Sequence, residues 1–141
     1  LNDQTNNEDP MGLYVKWVLE MEKNHRKEAR AFLLKAMETL DKDNHEIMRC
    51  YGLSEYRYGN REKGLQQLEH AHDLHIYDAE IVYNLIELYL LEKKYRKANE
   101  LITFFYENKE DLEVYDKKLS FYESKMKLFS AYLSAYAHKK T

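Results

Sequence analysis

The chain has 141 residues, enough for one domain with a single continuous core. Its 22 Lys and Arg stand against 25 Asp and Glu, a formal net charge of −3, so nothing in the charge balance supports direct binding of a nucleic-acid backbone or an anionic membrane. One cysteine, Cys50, excludes an intramolecular disulfide framework and favours a reducing, cytoplasmic setting.

No apolar run approaches the roughly 18 residues of a membrane span, and no signal-peptide pattern opens the chain. With 4 Gly and 1 Pro there are too few turn-formers for a hairpin-rich fold, and the abundance of Leu, Glu, Lys, Ala and Met predicts helices throughout. The first residue is Leu1 rather than Met, which reads as a processed chain or a piece of a longer one.

Residues 1–9 are polar and aperiodic and read as a disordered lead-in; Asp9-Pro10 then carries a helix-start signature. A first helix is predicted from Tyr14, Trp17, Val18 and Met21, and a second from Ala29, Leu33, Ala36 and Leu40. Asp41-Lys42-Asp43 breaks the pattern, and Asn44 caps a third helix with Met48, Tyr51, Gly52 and Glu55 on one face. Gly59-Asn60 ends it. A fourth helix carries Gly64, Leu68 and Ala71, and Asp78 caps a fifth with Val82, Leu85, Ile86 and Tyr89. The polar elbow Glu92-Lys93-Lys94 leads to a sixth helix with Ala98, Ile102 and Phe105.

These faces repeat. The first-helix set recurs at intervals of 34 residues, and the second-helix set at 35 and then 34. A helix pair cannot cover its own apolar face, whereas stacked pairs bury a continuous core, so the period itself is a reason to expect a repeat architecture. From residue 113 the spacing lengthens. Tyr115, Leu119, Tyr122, Met126, Phe129, Leu133 and Tyr136 recur at steps of four and three, a heptad-like seam for one long helix or two abutting ones running to about His138. Phe121, Leu128 and Tyr132 widen its apolar face. The seam suits a cap closing the last pair, with a homodimer through this helix as the competing reading.

At Val82, Leu85, Tyr89, Tyr95, Ala98 and Ile102 the chain resembles the tetratricopeptide repeat family, with Ile86 and Phe105 where that family usually has small residues. The second copy keeps Gly52 and Ala71 but has Glu55 in place of an aromatic. The resemblance implies an all-α, right-handed α-solenoid of three helix pairs at about 10–44, 45–78 and 79–112, closed by a C-terminal helix over 113–141. Half-a-TPR repeats are a sibling pattern, matched in part by Tyr51 with Glu55 and by Tyr14, Trp17 and Ala29-Arg30.

Little in the chain points to catalysis. There is no phosphate loop, nucleophile elbow or His/Cys/Asp constellation. His72 and His75 are three apart, but His70 points elsewhere, and solvated surface histidines are the simpler account than a metal site. Lys93, Lys94, Arg96 and Lys97 are interleaved with Glu92 and Glu100, which argues against a nucleic-acid patch. No cofactor or metal is expected, and no enzyme activity.

The resemblance implies instead a concave groove lined by first helices, here Arg49, Cys50, Leu53, Tyr56 and Arg57 in the second pair. In the third pair the corresponding residues are Glu80, Tyr83, Asn84, Glu87, Leu90 and Leu91. Family members that hold a C-terminal carboxylate use a polar clamp; Arg49, Asn84 and Lys118 fall loosely on it, but Leu53 and Val114 replace polar residues. The expected function is a non-catalytic module holding a peptide or helix of a partner protein, with Arg49, Leu53, Tyr56, Arg57, Tyr83, Asn84, Glu87, Leu90 and Lys118 as candidate contacts. The alternatives are a dimeric bacterial secretion chaperone, an RNA-processing scaffold of the half-repeat type, or an accessory domain of a larger enzyme or regulator.

Overall fold

The computed structural model describes residues 16, 19–21, 23–38 and 44–136. Among them are six helices: α1 (Arg26–Glu38), α2 (His45–Tyr58), α3 (Arg61–Leu74), α4 (Ala79–Leu91), α5 (Tyr95–Glu107) and α6 (Leu119–Tyr136). Residues 16 and 19–21 are helical as well. The lead-in, the Asp9-Pro10 start, Tyr14, Trp17, Val18, Leu40, the break at residues 41–43 and His138 lie outside the described residues. The chain separates into two compact units, Leu1–Leu74 and His75–Thr141.

The helix starts keep the period of the sequence. The second helices begin at Arg26, Arg61 and Tyr95, 35 and 34 residues apart, and the first helices of the second and third pairs at His45 and Ala79. Every apolar position expected on α1, α2, α3, α4 and α5 that falls among the described residues is buried, from Ala29, Leu33 and Ala36 to Ala98, Ile102 and Phe105. The caps follow too. The Asn44 side chain accepts from the Ile47 N–H at 3.2 Å, and Asp78 Oδ1 accepts from the Glu80 and Ile81 N–H groups at 3.0 and 3.1 Å. Asn60 does the same for α3 through the Lys63 N–H, at 2.9 Å.

Asp78 is held in a second way, because its segment pairs with Glu113. Glu113 N–H donates to Tyr77 O at 2.7 Å, and Ala79 N–H donates to Glu113 O at 3.1 Å. Asp78→Ala is therefore expected to cost about 1 kcal/mol of stability, the usual loss for an N-cap oxygen. Most of that should return in Asp78→Asn. Thermal unfolding followed by circular dichroism measures both, and an alanine variant as stable as the parent would deny the cap its role.

Two elbows close in the same manner. After α4, Lys93 adopts φ 60°, with Lys93 N–H bonded to Leu90 O and Lys94 N–H to Tyr89 O. Before α1, Asn24 adopts φ 64°, with Asn24 N–H bonded to Met21 O and His25 N–H to Glu20 O. Both are left-handed helix stops that satisfy the last carbonyls of the preceding helix.

In the first unit, Leu33, Ala36, Ile47, Cys50 and Tyr51 form one core cluster with Phe32 against it. Beside it lies an ion pair that the spacing alone does not reveal. Glu55, 1% exposed, takes the place of the aromatic expected on α2, and Arg30 of α1 reaches it with two bonds, Nε to Oε2 at 2.8 Å and Nη2 to Oε1 at 2.7 Å. The Asn60 N–H adds a third, at 2.9 Å. A Cβ at Gly59 would stand 2.5 Å from Glu55 Oε1 and 2.6 Å from Arg30 Nε, so the pair occupies space that only glycine leaves open. The Arg30 hydrogen bonds hold the Glu55 carboxyl below its ordinary pKa despite burial, and the same bonds raise the Arg30 guanidinium.

In the second unit, α6 packs on α4 and α5 and buries Tyr122, Met126 and Leu133. The helix starts at Leu119, six residues after residue 113, where the C-terminal helix was expected to begin. Tyr115 lies before it, more than half exposed, with its hydroxyl donating to Glu113 at 2.9 Å. The backbone around residue 113 is committed to Tyr77 and Ala79, which holds the chain extended there and delays the helix.

Candidate functional site

The residues expected to line a groove divide into three groups. Arg49, Leu53 and Arg57 come together in the first unit, on one wall of a pocket of about 180 Å³. Cys50, Ser54, Tyr58 and Met21 complete its lining. Apart from Met21 all of these belong to α2, and the spacing 49, 53, 57 places the three predicted residues on one stripe of that helix. Arg49 is oriented by Glu46, with Nε to Oε1 and Nη2 to Oε2 both at 3.0 Å, and its Nη2 also approaches Cys50 Sγ at 3.8 Å. Arg57 is exposed and forms no hydrogen bond or ion pair with the described residues.

Ser54 was not among the predicted contacts. The residue is 4% exposed and is part of the pocket lining, and its buried hydroxyl bonds to no described residue. The sequence signal for it is weak: a serine one position from Leu53 in a helix looks like any interior small residue.

A second group is buried. Tyr56 is 8% exposed with the Arg61 guanidinium 5.3 Å above its ring, so it packs at the α2–α3 contact and offers a partner little surface. Asn84 and Leu90 on α4 are buried as well. These two follow α4's core side, because its buried residues occupy most of its circumference.

The third group is taken up or dispersed in the second unit. Tyr83 meets three rings of α6, Phe121 at 5.7 Å and Tyr122 at 6.0 Å edge-on, and Phe129 at 5.9 Å stacked. Glu80 accepts the Tyr122 hydroxyl at 2.5 Å and lies 3.4 Å from Lys117 Nζ. The stripe of α4 expected to face a groove thus carries the C-terminal helix. Glu87 is half-buried, and Lys118 is exposed just before α6.

The remaining chemistry is sparse. Among the described residues no group of three His, Cys, Asp or Glu is placed to hold a metal ion, and no helix is long and apolar enough to cross a membrane. What the first unit does offer is a small recess lined by the arginines Arg49 and Arg57 together with Met21, Leu53 and Tyr58.

Comparison with known proteins bears on the fold. A solved structure described as the functional characterization of Pseudomonas aeruginosa pilF superposes with a TM-score of 0.61 at 14% identity, over 91% of this chain. The chain is built like that tetratricopeptide-repeat protein. It is all-helical, and the likeness fits a helical solenoid. At this identity the resemblance concerns fold alone, and the chain spans 61% of the length of PilF. No family model matches the sequence, and no curated protein sequence matches it.

Proposed function

We propose that the chain is a non-catalytic protein-interaction module that holds a peptide segment or helix of a partner protein. The observation that carries this reading is the pocket on α2, where Arg49, Leu53 and Arg57 stand on a first helix of a tetratricopeptide-like pair and are not consumed by the core. Arginines at a rim with apolar walls beneath suit a peptide, whose backbone and side chains present acceptors and hydrocarbon together. Tyr83, Asn84 and Leu90 support the second unit's own packing in this scheme, and partner contact centres on the first unit.

Panning a peptide-display library over the immobilised full chain tests the proposal. Selected peptides should bind the Leu53→Ser variant at least tenfold more weakly, about 1.4 kcal/mol, with the helical signal of the protein unchanged. Peptides that bind parent and variant equally would place recognition elsewhere.

A further inference from the structure

We propose that the chain pairs with a second copy of itself through an outer stripe of α6, the two helices running antiparallel across a two-fold axis. The α2 pocket plays no part in this pairing. The heptad-like seam is spent inside the second unit, where Tyr122, Met126 and Leu133 are buried and Phe129 stacks on Tyr83 at 5.9 Å. A different stripe of the same helix is left outside. Leu128, Ala131, Tyr132, Ala135 and Tyr136 follow the i, i+3, i+4, i+7, i+8 spacing of one helix face, and all five are exposed. Leu128 shows 61% of its surface and Tyr136 51%.

The charge pattern points to an identical partner. Nine consecutive residues, Leu128 to Tyr136, carry no charge, in a chain of which 33% is Asp, Glu, Lys or Arg. A two-fold axis sets a surface against its own copy, so a face of one charge repels itself and a neutral face does not. A tyrosine hydroxyl both donates and accepts, so two identical tyrosine-bearing faces can also satisfy one another.

Residue size agrees. Along the stripe the large Leu128, Tyr132 and Tyr136 alternate with the small Ala131 and Ala135. Turned end for end about an axis between residues 133 and 134, the stripe lays Tyr132 over Ala135 of the partner copy and Tyr136 over Ala131 of the partner copy. The same contacts recur in reverse, which is the reciprocity an isologous interface requires. The rings are also set in advance. Tyr132 lies 4.5 Å from Tyr136 and 6.5 Å from Tyr95 of α5, centroid to centroid, so less side-chain freedom is lost on contact.

Sedimentation equilibrium on the full chain, from micromolar to millimolar concentration, should show a reversible equilibrium between monomer and dimer. Tyr132→Ala removes a knob and Ala135→Tyr fills its socket, and each should weaken dimerisation at least tenfold. Both positions are exposed, so the helical circular dichroism should stay that of the parent. In the double variant the large and small residues have changed places on both copies, and association should return to within a few-fold of the parent. Tyr136→Ala with Ala131→Tyr repeats the exchange at the other contact, should one of the first variants fail to fold.

A chain that stays monomeric at millimolar concentration overturns the proposal and leaves the stripe to a different protein. A dimer that the single variants leave intact overturns it as well, because the contact then lies elsewhere. Losses that simply add in the double variant, with no recovery, exclude the reciprocal pairing and with it the two-fold arrangement.

Discussion

Arg30→Ala is expected to lower the stability of the protein by about 3 kcal/mol, because it leaves a carboxylate buried without its counter-ion. The two partners are unequal. Arg30 keeps 38% of its side chain exposed, whereas the Glu55 side chain keeps 1%, so the arginine can return to water and the carboxylate cannot. The loss is therefore mostly the cost of Glu55 stranded beside Gly59 and Asn60 rather than of a missing attraction. Replacing both partners by apolar residues, Arg30→Met with Glu55→Leu, should recover most of it.

The pair also sets a pH dependence. The folded Glu55 carboxyl titrates below its unfolded value of about 4.3. Its contribution is thus complete above that pH and is lost as pH falls through the depressed folded pKa. In Arg30→Ala the sign reverses, since a buried unpaired carboxyl prefers the neutral form and gains from protonation. The difference between parent and variant should be largest at pH 7 and shrink near pH 4. Urea unfolding at the two pH values measures this, and a gap that stays constant would mean that Glu55 is not ionised in the folded protein.

The second large effect is at Gly64. A Cβ there would sit inside contact distance of the Tyr56 backbone nitrogen and 2.7 Å from both Gly52 O and Tyr56 Cα. All three are backbone atoms of α2, and none can move without moving the helix. Gly64→Ala is expected to cost about 3 kcal/mol, at the upper end for overpacking, even after the roughly 1 kcal/mol that alanine contributes as a better helix former.

Gly52 is the control. A Cβ there meets Gly64 O and Leu68 N at 3.2 Å, a tight contact rather than a clash, so the helix-propensity gain offsets most of the strain and Gly52→Ala should lie within about 1 kcal/mol of the parent. Chemical denaturation of the two variants side by side decides it, and a Gly64→Ala protein as stable as Gly52→Ala would mean that α2 and α3 are not in backbone contact.

For α1 to α5 the phase of the helices, and the capped starts of α2 and α4, were legible in the order of residues. A helix buries the side facing its neighbours, so apolar residues recur with its own pitch, and Ala29, Gly64 and Ala98, at intervals of 35 and 34 residues, are each buried in their own helix. Caps are equally local: Asn44 and Asp78 act on N–H groups two or three residues away.

What pitch cannot specify is the fate of the residues left off the core face, because that depends on which distant segment arrives to cover them. Tyr83 reads as a free aromatic until Phe121, Tyr122 and Phe129 are set against it, and Glu55 reads as a misfit until Arg30, 25 residues earlier, is brought to it. The late start of α6 likewise follows from Glu113 pairing with Tyr77 and Ala79, a bond between segments far apart in the chain. The same holds for the α2 pocket. Arg49, Leu53 and Arg57 share a stripe by spacing alone, but only three-dimensional packing made a recess of them, with Met21 brought to it from outside α2.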